Sequence, residues 1–431
     1  MNAVFENSRS AAQALDQQDP LRQYRERFHF PDLGTTDLAY FSGHSLGLQP
    51  DGVAQSIQNE LESWSRYGVE GHFKSDDPWL DYHELLTQPM ADIVGALPSE
   101  IVCMNALTVN LHLLFVSFYR PTPKRFKIIS EARMFPSDRY LLETQAKFHG
   151  FDPDDVIVEV APRDGEWVIR EDDILATIEA HGESVALVFF GGVNYVTGQW
   201  FDIPTLTRAA HRVGALAGFD LAHAAGNVPL ALHEWGPDFA AWCSYKYLNC
   251  GPGNAGAIFV HQRHEQADDL PRFGGWWGHD KESRFQMAPG FTPIPGAEGW
   301  QLSNAPIFGM AAMRASLGVF SEIGMAALRE KSVQLTAYLE YVIDDLALHY
   351  PDAQIRIISP QNPDQRGSQL SVHIAGHDRS LFDRLIAAGG IADFREPCII
   401  RIAPAPMYNS FEDVYVFGQL LARVLDESAD A

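Results

Sequence analysis

Two apolar segments of the chain each run into a polar cluster. GFDLAHAAG (218–226) carries Asp220 and His223, and WCSYKYLNCGPG (242–253) carries Tyr245 and Lys246. If both segments are strands of one open α/β sheet, their carboxyl ends face a common crevice, where ligands of such sheets bind. An acid ending one buried strand and a lysine following the next supply two things that pyridoxal phosphate requires. The carboxylate keeps the ring nitrogen protonated, and the amine forms a Schiff base with the aldehyde. The alternative makes Asp220 a helix cap and Lys246 a surface residue after a strand. Against it, Lys246 stands between Tyr245 and Tyr247 in an apolar run, where an unpaired ammonium is costly to bury. His223 taken alone fits a hydrogen-bonded interior histidine equally well.

A phosphate needs donors, and they must be local in a chain with a formal net charge of −24. TVNLHLLFVSFYR (108–120) reads as an apolar-rich helix closed by Pro121, so Leu107 and Thr108 lie at its start. That start offers free backbone N–H groups, a hydroxyl and the positive end of the helix dipole, although an ordinary helix cap looks the same. In MFPSDRY (134–140), Phe135 offers an aromatic face and Asp138 an acid at a strand-to-helix turn. A cap by Ser137 or Asp138 with a staple by Phe135 explains these residues as well. GPGNAG (251–256) matches GxGxxG, but AIFV continues as a strand where a dinucleotide fingerprint needs a helix. HQRHE (261–265) has neither HExxH nor cysteine–histidine spacing and reads as solvated surface, so no metal is expected.

Positioning these residues requires alternating strands and helices. From about residue 100 to 260, short β-branched runs alternate with helical patterns, which predicts an α/β core with a mostly parallel central sheet. The expected strands are FKIIS (126–130), DVIVEV (155–160), SVALVFF (184–190), ALAGFD (215–220), FAAWCS (239–244) and GAIFV (256–260). Residues 99–119 read as a polar stretch followed by a helix. After a loop-rich stretch at 270–305, one long helical pattern covers 306–349. Strand-like pieces at 354–358, 368–374 and 399–402, with helical stretches around 380–388 and 410–427, predict a smaller α+β terminal domain. The expected division is an N-terminal arm with helices packing on the small domain (1–95), a large cofactor-binding domain (96–305), and a linking helix with the small domain (306–431).

Composition narrows the class further. At 431 residues the chain is too long for one compact core, and 46% hydrophobic residues with 26 Phe and 9 Trp exclude a largely disordered protein. Thirty-two basic against 56 acidic residues exclude a broad nucleic-acid surface. Cys103, Cys243, Cys250 and Cys398 are scattered without CxxC spacing, the usage of a reducing compartment, so the cytoplasm is expected. The first residues lack a basic start with an apolar run behind it, and no stretch of about 18 apolar residues occurs to span a bilayer. Neither secretion nor membrane insertion is expected.

Seven segments, in order across nearly the whole chain, resemble the kynureninase family, pyridoxal-phosphate hydrolases of tryptophan catabolism. They are FSGHSLGLQP (41–50), FPSDRYLLETQ (135–145), GFDLAHAAGNVPL (218–230), WCSYKYLNCGPG (242–253), GWWGHDKESRFQM (275–287), QLSNAPI (301–307) and IRIAPAPMYNSFEDVY (400–415). The resemblance implies the aspartate-aminotransferase-like fold type I and hydrolytic Cβ–Cγ cleavage of kynurenine or 3-hydroxykynurenine to an anthranilate and alanine. It implies that Lys246 forms the internal aldimine, Asp220 pairs with the ring nitrogen, Phe135 stacks on the ring, and His223 and Tyr245 contact the cofactor, with Tyr245 a proton donor or oxyanion partner. Leu107 and Thr108 fall on the phosphate side, Ser137, Asp138 and Gly191 also at the cofactor. Trp276 and Asn304 would reach the cofactor across a homodimer interface. Arg401 matches the arginine that clamps the substrate α-carboxylate; by itself an arginine in IRI is also an outward-facing strand charge. Ser45, His72, Ser303 and Asn304 match substrate-lining positions, and His72 with Asn304 resembles the type that favours the 3-hydroxylated substrate.

Three positions depart from the family pattern: His44 where asparagine is usual, Gly191 where serine often sits, and Asn254 in place of a common glycine. The rivals sharing this fold are a cysteine desulfurase or selenocysteine lyase, for which Cys398 is the one remotely suitable thiol, and an aromatic aminotransferase. Cys398, before an apolar strand in EPCIIR, reads as a buried structural thiol. A non-catalytic scaffold is the rival of a different class.

Overall fold

The computed structural model describes residues 5–35, 37–265 and 270–429. Seven short runs of apolar residues assemble into one sheet: β1 (Ile101–Met104), β2 (Lys127–Glu131), β3 (Ile157–Val160), β4 (Val185–Gly191), β5 (Leu216–Asp220), β6 (Phe239–Trp242) and β7 (Gly256–Val260). Their order is β1-β7-β6-β5-β4-β2-β3. The pairs β2–β3, β2–β4, β4–β5 and β5–β6 are parallel, and β7 runs antiparallel to both β6 and β1. A parallel sheet carries helices on both faces, which is why these strands read as continuous apolar runs rather than alternating ones. Register sets Gly191 opposite Asp220 and Asp220 opposite Ala241, so the carboxyl ends of β4, β5 and β6 lie side by side.

Helices α1 (Leu107–Phe118), α2 (Pro136–Phe148) and α3 (Ile203–Arg212) follow β1, β2 and β4. Leu111, Leu114 and Phe115 of α1 are fully buried, and Phe115 and Phe118 pack on Phe239 of β6 with ring centroids 5.9 and 5.0 Å apart. The six expected strands fall on β2 to β7 to within two residues at each end. β1 is an additional strand: IVCM is too short to show a period, and all four residues are buried at the sheet edge against β7.

HQRHE, expected on solvated surface, does expose Gln262 and Arg263 and is also an ion-pairing segment. His264 Nε2 and Arg263 Nη1 lie 2.9 and 3.1 Å from Asp238 Oδ1, and His211 Nε2 lies 2.8 Å from Oδ2. Burial alone raises Asp238, but the hydrogen bonds from His211 and His264 hold it well below the usual carboxylate range. The Gln262 N–H donates to the fully buried Glu100 at 2.9 Å. Partners some 25 to 160 residues away are invisible to a local reading of five residues.

Contacts divide the chain into two compact units. One comprises the residues up to Asp51, Val196–Trp200 and those from Glu322 onward; the other comprises Gly52–Tyr195 and Phe201–Ser321. The N-terminal stretch up to residue 95 thus contributes to both. The smaller unit carries β8 (Ile355–Ile357), β9 (Leu370–Ile374), β10 (Asp393–Arg395) and β11 (Ile399–Ile402), in the antiparallel order β8-β9-β11-β10. The helical pattern at 306–349 is two helices, α4 (Ile307–Ile323) and α5 (Met325–His349), separated at Gly324, whose φ of 80° only glycine adopts readily. Leu335, Leu339 and Val342 of α5 and Val414, Phe417 and Leu421 of α6 (Phe411–Ala429) bury the inner face of this sheet. Among the described residues no helix is long and apolar enough to cross a membrane.

Candidate active site

The carboxyl ends of β2, β4 and β5 meet around a buried group of acids. Asp220 closes β5, is 7% exposed, and accepts the Ala222 N–H at 2.8 Å. Glu131 closes β2; its Oε1 accepts the Gly191 N–H at 2.9 Å and its Oε2 the Asn194 amide at 2.6 Å. Asp138 comes from the first turn of α2, whose start is set by Pro136, and hydrogen-bonds Asp220. Burial raises all three. It pushes Glu131 up to about 7, with the charge of Asp220 adding to the effect and the two donors opposing it. Asp138 is raised well above the usual range, by burial first and then by the negative charge of Asp220, so it keeps its proton and donates it to Asp220. Asp220 is itself raised by burial, with Lys246 and the Asp138 hydrogen bond pulling the other way.

Lys246 lies just beyond β6, in a turn tied by the Cys250 N–H to the Ser244 carbonyl (3.0 Å) and by Ser244 Oγ to the Ala255 carbonyl (2.5 Å). Its Nζ is 3.0 Å from His223 Nε2 and 5.7 Å from the centroid of the Phe135 ring. Phe135 is 41% exposed and meets Tyr195 edge to face at 5.3 Å. The phenol of Tyr245 hydrogen-bonds the Cys243 thiol; burial first, then Cys243 and Asp220, raise it above its ordinary value and keep it protonated.

These residues fit pyridoxal phosphate. The buried Asp220 carboxylate, bonded by protonated Asp138 and facing the Lys246 ammonium, is an acid partner suited to a protonated ring nitrogen. Phe135 presents an open aromatic face. The first turn of α1 has no side-chain cap at Ala106, which leaves the N–H groups around Leu107 and Thr108 for an anion. Ser137, beside Asp138 in the first turn of α2, is half-buried.

The structure thus brings Phe135, Asp138, Gly191, Asp220, His223, Tyr245 and Lys246 together in the larger unit. In the same unit, His72 Nδ1 lies 3.0 Å from the Val69 carbonyl, the Trp276 indole donates to the Arg284 carbonyl at 3.1 Å, and Ser303 and Asn304 are exposed. In the smaller unit, Arg401 is 1% exposed and not an outward-facing charge; it and Ser45 both bond Asp393. Two departures have a physical reason. A Cβ at Gly191 would stand 2.7 Å from Glu131 Oε1. Asn254 ties its loop to the Cys250 and Gly309 carbonyls, each at 2.7 Å. His44 is fully buried. Glu131, Asn194, Cys243 and Asp393 escaped the sequence reading. Glu131 had a signal, because it stands one residue beyond the expected strand FKIIS and ends it as Asp220 ends β5.

Residues 328–421 match the model of the kynureninase C-terminal domain. Over 97% of its length the chain is 57% identical to kynureninase of Myxococcus xanthus, covering 97% of that protein. It is 53% identical to kynureninase of Flavobacterium johnsoniae over 97% of this chain and 99% of that one. The chain belongs to the kynureninase family. A kynureninase performs pyridoxal-phosphate-dependent hydrolytic cleavage of a Cβ–Cγ bond in tryptophan catabolism, and that is the activity of this chain. Among solved structures, the apo cysteine desulfurase of Thermococcus onnurineus superposes with a TM-score of 0.76 at 18% identity, over 94% of this chain and 98% of that one. At that identity the likeness speaks for the fold alone, the pyridoxal-phosphate fold type I. Desulfurase chemistry needs an accessible thiolate, whereas Cys398 of this chain is fully buried and its thiol is pushed up to about 11, chiefly by burial.

Glu131 gives the site a measurable pH signature. A carboxyl group whose folded pKa exceeds its unfolded value binds more protons when folded, so stability falls as pH rises from 4.5 towards about 7. In the cofactor-free protein, Glu131→Gln removes this contribution, on the order of 3 kcal/mol. Urea midpoints measured across that pH range should therefore decline less steeply for the variant than for the wild type. Equal slopes would show that Glu131 ionises as an ordinary surface acid.

Proposed function

We propose that Lys246 is the residue that would hold the cofactor and whose Nζ would take the substrate Cα proton, with Asp220 the partner for the ring nitrogen and Phe135 the aromatic face for the ring. The observation that carries this reading is the Lys246–His223 contact at 3.0 Å in front of the Asp138–Asp220 pair. When bound, pyridoxal phosphate supplies an aldehyde for amines and a protonated ring that accepts electron density from Cα. His223 holds the lysine amine in place, and Asp138, by keeping its proton, lets Asp220 carry the negative charge. Leu107 and Thr108 take the phosphate at the start of α1, with Ser137 and Gly191 at the cofactor's edge. Tyr245, protonated at rest, donates its proton from Oη to the oxygen of the aryl ketone as water adds to the carbonyl carbon, and takes back a proton from that water, so it ends the step as a phenol. Arg401 takes the substrate α-carboxylate, the task to which a planar guanidinium is suited.

The substrate preferred is 3-hydroxykynurenine, lined by Ser45, His72, Ser303 and Asn304. A carbonyl oxygen only accepts, so in its contact with Val69 the His72 ring carries its proton on Nδ1. In that tautomer Nε2 is the acceptor offered to a phenolic hydroxyl. Purified enzyme should release the anthranilate and alanine from both kynurenines with the larger kcat/KM for the hydroxylated one, and His72→Phe should cut that preference about tenfold. A clear preference of the wild type for kynurenine would remove this assignment.

The enzyme works as a cytoplasmic homodimer in which Trp276 and Asn304 serve the partner's site. Trp276, Phe285 and Met287, 45, 50 and 70% exposed, form an apolar surface suited to a second copy, and the four cysteines are unpaired and buried. Sedimentation of the holoenzyme should give twice 48.0 kDa; a fully active monomer would contradict the shared site.

A further inference from the structure

Arg401 is a cation held almost wholly out of water, and one acid grips it through two of its nitrogens. On the small sheet, β10 and β11 pair with Asp393 directly opposite Arg401, the geometry in which cross-strand side chains meet on one face. Asp393 Oδ1 accepts from Arg401 Nε at 3.0 Å and Nη2 at 2.7 Å. The same oxygen lies 2.6 Å from Arg395 Nη1. Ser45, from the loop that begins where Ser42 bridges Ala403 just after β11, donates its hydroxyl to Asp393 Oδ2 at 3.0 Å. One carboxylate therefore organises two guanidinium groups and a hydroxyl. Together the two arginines and one acid keep a net charge of +1, so the cluster can still attract an anion.

We propose that Asp393 is a positioning residue for the reaction: it locks the Arg401 guanidinium in the plane that receives the substrate carboxylate, and Ser45 locks Asp393 in turn. The proposal rests on the reading of Arg401 as the carboxylate clamp. A buried guanidinium on a long side chain has many rotamers, and a carboxylate bonded through Nε and Nη2 leaves it one. Pure charge counting gives the opposite sign, because removing Asp393 raises the local charge from +1 to +2 and would strengthen anion binding. The two accounts are separable by experiment.

Steady-state kinetics of the holoenzyme with kynurenine, and competitive inhibition by an analogue lacking the α-carboxylate, are measured for wild type, Asp393→Asn, Asp393→Glu, Ser45→Ala and Arg401→Lys. Positioning predicts that Asp393→Asn raises KM about tenfold or more while kcat falls much less. Inhibition by the carboxylate-free analogue stays as in the wild type. Asp393→Glu recovers part of the loss, and Ser45→Ala shows a smaller rise of the same sign. An unchanged or lowered KM in Asp393→Asn overturns the proposal, as does equal weakening of both ligands, which is the mark of a merely structural role. Should Asp393→Asn not fold, the same KM-against-inhibition comparison in Ser45→Ala and Asp393→Glu decides. If Arg401→Lys itself leaves KM unchanged, the carboxylate reading of Arg401 is what fails, and the proposal falls with it.

Discussion

A carboxylate buried at the end of a parallel strand, with a protonated acid on one side and one lysine amine in front, is the constraint from which the rest of this site follows. Asp220 is desolvated by the sheet that places it, so keeping its charge requires help. Asp138 gives a hydrogen bond and Lys246 a positive charge, and in the proposed placement of the cofactor a protonated ring nitrogen would give the third contribution. So placed, Asp220 would favour the protonated ring, the form that draws electrons from Cα. The same desolvation explains why Glu131, one strand further along, carries a raised pKa and sits where a side chain at position 191 would otherwise stand.

The sheet earns its place through register. β4, β5 and β6 are parallel and end in line, so residues some twenty to thirty positions apart in sequence become neighbours. β7 then returns antiparallel and closes the turn that holds Lys246. In the smaller unit an antiparallel hairpin achieves a similar result by different means. Cross-strand pairing sets an acid opposite an arginine, and burial makes their orientation definite.

Much of this was legible in the sequence because it is local. Strands buried on both faces leave continuous β-branched runs, and an acid or lysine interrupting the end of such a run stands out, as Asp220 and Lys246 did. β1 was not legible, since four buried residues at a sheet edge carry no period. The break at Gly324 was missed because the apolar pattern continues in phase through it. The ion pairs of HQRHE were not legible because the acids that hold it, Asp238 and Glu100, lie far away in sequence. Asp393 was missed for a related reason: only the second strand of its hairpin had been recognised, and an ion pair across two strands needs both. The roles proposed for Trp276 and Asn304 came from family resemblance alone, as their residue types carry no local sign of a second subunit.

The central claim is that the ε-amine of Lys246 carries the cofactor. Holoenzyme reduced with borohydride and digested should show, by peptide mass analysis, one pyridoxyl group on the peptide containing Tyr245–Lys246–Tyr247, with loss of the yellow absorbance. A pyridoxyl group on a different lysine, or no modified peptide from a preparation that was yellow before reduction, would contradict the account.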